Sequence, residues 1–562
     1  MLGADRPTMS PLEYHKSTKS KKRRMVFKLC ASRCRLLGDT TTKVCLHSLL
    51  CPFRASVVSH SSLGDAKVRH YEFNVEYFYK KIDCVEQFVL GINRQFPGPT
   101  IRAEVGDTLE IAVTNKLSTE GTAIHWHGIR MYGTPWADGT VSITQCAINP
   151  GETFIYKFKV DQAGTFYYHG HHGLQRTAGL YGSLIVDLPK GKKEPFHYDG
   201  EFNLLLSDWW HKSAQEQDVG LLFKFVEFRW VWEPQSHKMV VVEADGHYVQ
   251  PFTVDNLDIY SGESYSVLVT TNQNPNQNYW LSVAHRDANI STTQALTLLN
   301  YKNISPSALP SFPPPVPPIW YDYEERKVFT KKVLALSGHT PQPPKNSQRR
   351  IVLLPNQDLI DGYLRWGVNG ISLSHQTTPY LGSVKFNLKS AFDWKSPLDH
   401  YVPYDYDITV PPVNHTLTMG SRIYQLQFNQ VVDVIVQNTN SFVPNISSFH
   451  PWHLHGHHFW VLGHADGKFK DGDEKLFNLK NPPLKNTVVT HPYGWTAIRF
   501  RADNPGVWSF HCHMEPHFHT GMGVVFAEGV EHVKGIPQQA LACGLTGKLL
   551  MNKKRSSSND NN

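Results

Sequence analysis

Four His-x-His pairs mark this chain: His125-Trp126-His127, His169-Gly170-His171, His453-Leu454-His455 and His511-Cys512-His513. Alternate residues of a β-strand face the same side, so each pair aims two imidazoles at one point. Eight imidazoles converging from four strands make a metal cluster. Cys512, between two of them, faces the opposite side, where His450, His517 and Met522 come within reach. Two histidines, a thiolate and a weak methionine form the ligand set of a blue-copper electron-transfer site. The chain thus wires one copper site to a second, larger one through a single residue. One pair arises easily by chance among 30 histidines, but four with matching surroundings do not. Zinc is the plainer metal, yet it favours a closed four-ligand site, and the donors here exceed any single zinc.

The pairs are also internal repeats. Glycine follows the first and third pairs at Gly128 and Gly456, and Gly164-Thr-Phe-Tyr-Tyr-His-Gly-His171 parallels Gly506-Val-Trp-Ser-Phe-His-Cys-His513. Such self-similarity predicts two related domains, one towards each end of the chain, meeting around the cluster. A chain of 562 residues suggests about three domains. Strand-like runs recur between turn signals, at Thr108–Thr114, Thr153–Lys159, Ser183–Val186, Val431–Val436 and Gly523–Phe526. With long helical periods scarce, the expected class is all-β, as repeated Greek-key β-sandwiches. The run Ser311-Phe-Pro-Pro-Pro-Val-Pro-Pro318 is stiff and donor-poor and reads as a linker.

The net charge of +7 misleads. Residues 1–66 hold 12 of the 56 Lys/Arg and only 4 of the 49 Asp/Glu, which leaves the rest nearly neutral. No basic face is expected, which argues against nucleic acid as a partner. The run Lys19-Ser-Lys-Lys-Arg-Arg24 mimics a nuclear signal but is better read as a charge cluster in a disordered leader. No apolar stretch is long enough to span a membrane, and the leader has no uninterrupted apolar signal region.

From about Arg69 to Lys548 the chain resembles the plant multicopper oxidases, most closely the ascorbate oxidases. The phrases that carry this are His125-Trp-His-Gly-Ile129, Gly133-Thr-Pro-Trp-Ala-Asp-Gly-Thr140, Gln145-Cys-Ala-Ile-Asn-Pro-Gly151, Ser207-Asp-Trp-Trp-His211, His450-Pro-Trp-His-Leu-His-Gly456 and the stretch from His511 to Met522. The resemblance implies three cupredoxin domains and four copper ions: one type 1, one type 2 and a type 3 pair. It implies boundaries near residues 67–190, 191–318 and 319–548, after an unassigned leader (1–66) and before a disordered tail (549–562). By position, His450, Cys512, His517 and Met522 would hold the type 1 copper. His125 and His453 would hold type 2, and His127, His169, His171, His455, His511 and His513 the type 3 pair. All twelve positions carry the expected residue types. His172, His457, His458 and His519 receive no assignment and read as rim residues.

The implied reaction takes single electrons from ascorbate and reduces dioxygen to water. Cys512, flanked by His511 and His513, is the implied electron path. Asp138 reads equally as a carboxylate serving the cluster and as an ordinary Asp-Gly turn residue. Substrate is expected to meet the edge of His517, flanked by Trp230 and Trp366, on which a planar enediol can stack. A laccase-like oxidase of phenols, or a wall protein without turnover, are the alternatives.

The chain departs from the family after Glu233-Pro-Gln235, where Ser236-His-Lys-Met239 runs straight into Val240-Val-Val-Glu-Ala-Asp-Gly246. Several strands of the middle domain are expected to be missing, which predicts open sheet edges and leaves Cys84 without its family partner. The resemblance pairs Cys146 with Cys543. Cys30, Cys34, Cys45 and Cys51 in the leader match nothing, and a zinc site there is not expected. The bridge, together with sequons at Asn289, Asn303, Asn414 and Asn445, points to a secreted protein of the plant wall space. A homodimer stays open.

Overall fold

Each strand-like run becomes a strand in the computed structural model: Thr108–Asn115, Thr153–Lys159, Tyr181–Asp187, Val431–Gln437 and Gly523–Glu528. The structure describes residues 23–31, 44–48 and most of 66–559, the exceptions being 83, 209–210, 217–229, 286–293, 302–303, 317–322, 401–405 and 412–416. Burial alternates along the first two and covers both faces of the other three. Leu109, Ile111 and Val113 turn inward, and their neighbours stay half-buried.

The strands form three β-sandwiches. In the first, one four-stranded sheet holds Val68–Ile82 and Thr108–Asn115 at its centre, and the other runs in the order Ile101–Glu104, Tyr181–Asp187, Gly164–Gly170, Ile124–His127. In the last, Val431–Gln437 and Gly494–Arg501 lie in one five-stranded sheet, and Gly523–Glu528, Gly506–Cys512 and His450–Leu454 lie side by side in the other. Trp508, Ala540 and Leu541 of the last domain are built into the core of the first. The Cys146–Cys543 disulfide links the same two domains across 397 residues of sequence. Cys84 is an exposed free thiol.

The middle sandwich corrects the sequence reading. Its six-stranded sheet runs His247–Val254, Met239–Ala244, Ser264–Thr271, Arg23–Ala31, Gly200–Asp208, Val44–Ser48. Two segments of the leader expected to be disordered are therefore strands. Arg23–Ala31 escaped detection because the basic run ending at Arg24, followed by Lys28, reads as a solvated charge cluster, whereas Lys28 is buried. The tail also differs: a helix runs Gly544–Asn559, through residues expected to be disordered. It is anchored at its start, where Leu545 N donates to Thr378 Oγ1 at 2.9 Å and Thr546 is fully buried. The proline-rich run lies along the middle domain, accepting hydrogen bonds from Trp280 Nε1 at Phe312 O and from Gln235 Nε2 at Pro313 O. Among the described residues, no helix is long and apolar enough to cross a membrane.

Candidate metal centre

Strand register brings the pairs together before any side chain is considered. His125 lies opposite His169, and His453 lies opposite His511. Each outer domain thus presents a square of imidazoles, and the two squares meet. His125 Nε2 and His453 Nε2 are 3.3 Å apart, His455 Nε2 and His511 Nε2 3.1 Å, His171 Nε2 and His511 Nε2 3.3 Å, and His513 Nε2 and His169 Nε2 3.3 Å. All eight rings are buried, with exposures of 9 % or less.

The outward nitrogens settle what these contacts are. His125 Nδ1 donates to Asp138 O at 2.8 Å, His453 Nδ1 to Asn486 O at 2.8 Å, His455 Nδ1 to Asp138 Oδ2 at 2.9 Å, and His511 Nδ1 to Cys512 O at 2.9 Å. A neutral imidazole carries one proton, so the inward Nε2 atoms of these four rings are bare lone pairs. Lone pairs facing each other at 3.1–3.3 Å across His125/His453 and His455/His511 repel unless a cation lies between or beside them. Protonation does not supply it. Burial, with neighbouring histidines, holds His453 and His455 well below the ordinary imidazole range and His511 down to about 3. His127 is turned the other way: Nε2 lies 3.1 Å from Asn486 Oδ1 and 3.2 Å from Thr487 Oγ1, and its buried Nδ1 has no partner. The donor set therefore fits copper, which imidazoles suit.

The second group lies on the other face of the Gly506–Cys512 strand. Cys512 Sγ is 3.5 Å from His517 Nδ1 and 3.8 Å from His450 Nδ1. Burial pushes His450 down to about 3 and His517 well below its usual value. Met522 is fully buried in the same core, and its carbonyl accepts from Cys512 N at 3.1 Å. Trp366 packs against both rings, its centroid 4.7 Å from His517 and 5.0 Å from His450. Trp230 lies on the strand Trp230–Pro234, opposite Ile259, and its side chain falls outside the described residues.

Asp138 is more than a turn residue. It is completely buried, and besides His455 it accepts from Thr140 Oγ1 at 2.6 Å and lies 3.3 Å from His125 Nδ1. It closes a short 3-10 turn, Pro135–Asp138, and Gly139 behind it has φ 81°. A Cβ at Gly139 would stand 1.8 Å from Ile124 O, so only glycine lets the turn fold back under His125.

Sequence reasoning missed the groups around His513. Arg176 is 2 % exposed; its Nη1 lies 2.6 Å from His513 Nδ1, and Nη2 donates to His513 O at 2.7 Å. Glu515 accepts from the backbone of Arg176 at 3.1 Å and of Thr177 at 2.6 Å. From the middle domain, Ser261 Oγ donates to His513 O at 3.0 Å, and a Cβ at Gly262 would stand 2.9 Å from His513 Cγ. Nearby, buried Lys485 joins Glu263 at 2.9 Å and Asp245 at 3.5 Å, while Asp245 Oδ2 accepts from Thr487 N at 3.1 Å. Proximity in sequence to His511-Cys512-His513 could have flagged Glu515. Nothing local marks Ser261. A cavity of about 210 Å³, lined in part by His169, His171, His511, Arg176 and Glu515, reaches the imidazole cage from outside.

Comparison with known proteins follows the geometry. Three family profiles, each described as "Multicopper oxidase", match residues 74–191, 234–304 and 391–532. An L-ascorbate oxidase of Nicotiana tabacum is 52 % identical, covering 89 % of this chain and 96 % of that protein. The chain belongs to the multicopper oxidase family. An L-ascorbate oxidase of Cucurbita maxima is 54 % identical over 87 % of this chain and 94 % of its own length, whereas Laccase-12 of Arabidopsis thaliana is 31 % identical over 83 % and 93 %. Among solved structures, Fet3p, a multicopper oxidase that functions in iron import, shares the fold with a TM-score of 0.69 at 22 % identity, covering 84 % of this chain and 94 % of its own. Copper is the family's cofactor, and the histidine groups suit it.

Proposed function

We propose that this multicopper oxidase is an L-ascorbate oxidase, taking single electrons from ascorbate and reducing dioxygen to water. The observation that carries the reading is the cage of inward lone pairs joined through one residue, Cys512, to the His450/Cys512/His517 group. The identities to L-ascorbate oxidases, well above those to laccases, support ascorbate over phenols. His450, Cys512, His517 and Met522 would hold the type 1 copper, His125 and His453 the type 2 copper, and His127, His169, His171, His455, His511 and His513 the type 3 pair. Copper supplies the one-electron redox chemistry and the reduction of dioxygen.

The chain's own residues do the rest. Cys512 is covalently continuous with His511 and His513, so an electron leaving its thiolate reaches the cage through backbone and imidazole. Asp138, Asn486 and the Cys512 carbonyl fix which ring nitrogen faces inward. Trp366 shields the His517 and His450 rings, and an enediol would stack beside it. The cavity bordered by His171 and His511 offers small molecules a way to the cage, and buried Glu515 on its wall holds the backbone of Arg176 and Thr177 in place. The disulfide suits an oxidising, extracellular compartment.

Oxygen uptake by the copper-loaded chain, on ascorbate and on a diphenol, tests the substrate. Faster uptake on the diphenol would favour the laccase-like reading. Cys512→Ser should lose the intense blue absorption and all turnover; a variant that stays blue would sink the assignment.

A further inference from the structure

The Arg23–Ala31 strand occupies an unusual position. It pairs parallel with Gly200–Leu206 on one side, in register from Met25↔Gly200 to Ala31↔Leu206. On the other side it pairs antiparallel with Ser264–Thr271, from Arg23↔Thr271 to Cys30↔Ser264. It is thus a central strand of a domain whose other strands, Val44–Ser48 aside, begin at Gly200. Its two faces are each complementary to their surroundings. Met25, Phe27 and Leu29 enter the middle core with Leu204, Val241 and Val267, and Phe27 stacks on Phe202 at 4.9 Å. On the opposite face, Lys28 is 4 % exposed, and its Nζ meets Glu201 Oε2 at 3.0 Å, with buried Glu243 close by. Two residues on, Cys30 packs against Tyr167 and Val89 of the first domain, and its thiol donates to Phe166 O at 3.7 Å. Phe166 and Tyr167 lie in the strand that also carries His169.

We propose that residues 23–31 are a built-in donor strand, retained in the folded enzyme, that fills a slot between Gly200–Asp208 and Ser264–Thr271 and braces the strand carrying His169. The slot selects its occupant. Emptied, it would leave two unpaired edges inside one sheet, with Glu201 held by Arg102 alone and buried Glu243 without the lysine beside it. The matching strand must be apolar at positions 25, 27 and 29 and cationic at 28, as this segment is. A hydrogen-bonded strand on either side makes the fit one of backbone as well as side chains.

The test uses the full copper-loaded chain. Hydrogen exchange of amides 25–30 should be as slow as in Ser264–Thr271, and peptide mapping of active monomer should recover Val26–Lys28. Lys28→Met should lower the yield of copper-loaded protein about tenfold or more by leaving buried Glu243 without a cation and Glu201 with Arg102 alone. Lys28→Met/Glu243→Gln should recover most of it, since the double change removes the stranded charge. A nine-residue peptide of the 23–31 sequence, added while Phe27→Asp protein refolds, should restore its copper content. Fast exchange over 23–31, active enzyme lacking these residues, a strand supplied only by a second copy in a dimer, or an unchanged Lys28→Met yield would each overturn the proposal. So would a failure of both the double variant and the peptide to rescue.

Discussion

Acidifying the metal-free protein probes the cage directly. Nine candidate ligand imidazoles, those of His127, His169, His171, His450, His453, His455, His511, His513 and His517, are held below the ordinary range chiefly by burial. In the unfolded chain each takes up a proton near pH 6.5, whereas in the folded chain burial keeps each neutral well below that, His450 and His511 down to about pH 3. A depressed imidazole therefore favours unfolding in acid, and stability present above pH 6.5 is lost as the pH falls towards the folded values. Each contributes about 1.4 kcal/mol per pH unit in that window, so nine that stayed neutral would together cost roughly 12 kcal/mol per unit. That is an upper bound, because water entering the cage would let some rings protonate, but even a third of it rivals the whole stability of a domain, about 5–15 kcal/mol. Denaturant titrations of copper-stripped protein between pH 6.5 and 5 should give a slope of about three protons or more. Copper-loaded protein should show a curve displaced upward, because the ion binds the folded cage more tightly than the unfolded chain. A metal-free slope below about one proton would refute the reasoning, since the rings would then be open to water in the folded chain.

Three substitutions extend this. Asp138→Ala removes the acceptor that fixes His455 and should lower turnover about 10–100-fold with loss of copper from the cage, read by metal analysis and oxygen uptake. Trp366→Phe should leave the blue absorption in place while raising the KM for ascorbate, whereas Trp366→Ala should also cost about 3–5 kcal/mol through the cavity it opens, checked by thermal melting. Lys485→Met strands Asp245 and Glu263 and should destabilise the loaded enzyme by about 3–5 kcal/mol at neutral pH. Both carboxyls are already raised by burial. Without the lysine they would rise further, so the penalty should shrink in acid, a trend that melts at two pH values would reveal.

The imidazole cage was legible in the sequence because a strand's two-residue period turns His-x-His spacing into geometry. Register then supplied what spacing could not, setting His125 beside His169 and His453 beside His511. Asp138 stayed ambiguous because an Asp-Gly turn looks the same whether or not it is buried against two rings. Arg176 and Ser261 were illegible for another reason: they meet His513 across 337 and 252 residues, and no local pattern encodes such a contact. The strand Arg23–Ala31 was hidden by its charges, since Arg23, Arg24 and Lys28 read as part of a solvated basic run although Lys28 is buried against Glu201. The helix at Gly544–Asn559 was missed because its later turns are polar, although its start is tied down beside Cys543.

The disulfide encloses almost the whole machine within one covalent ring. Three of the four His-x-His pairs, the Gly200–Leu299 part of the middle sandwich and the last domain's strands lie between Cys146 and Cys543, and of the eight cage histidines His125 and His127 alone precede it. A single cut by a protease anywhere within those 397 residues opens the ring but frees nothing. The fragment bearing His125 and His127 stays bonded to the end of the chain, close to the strand bearing His511 and His513. In a compartment rich in proteases, the enzyme can thus be nicked yet keep both halves of its cage in one molecule, and reducing agent, rather than proteolysis alone, is what would let them drift apart.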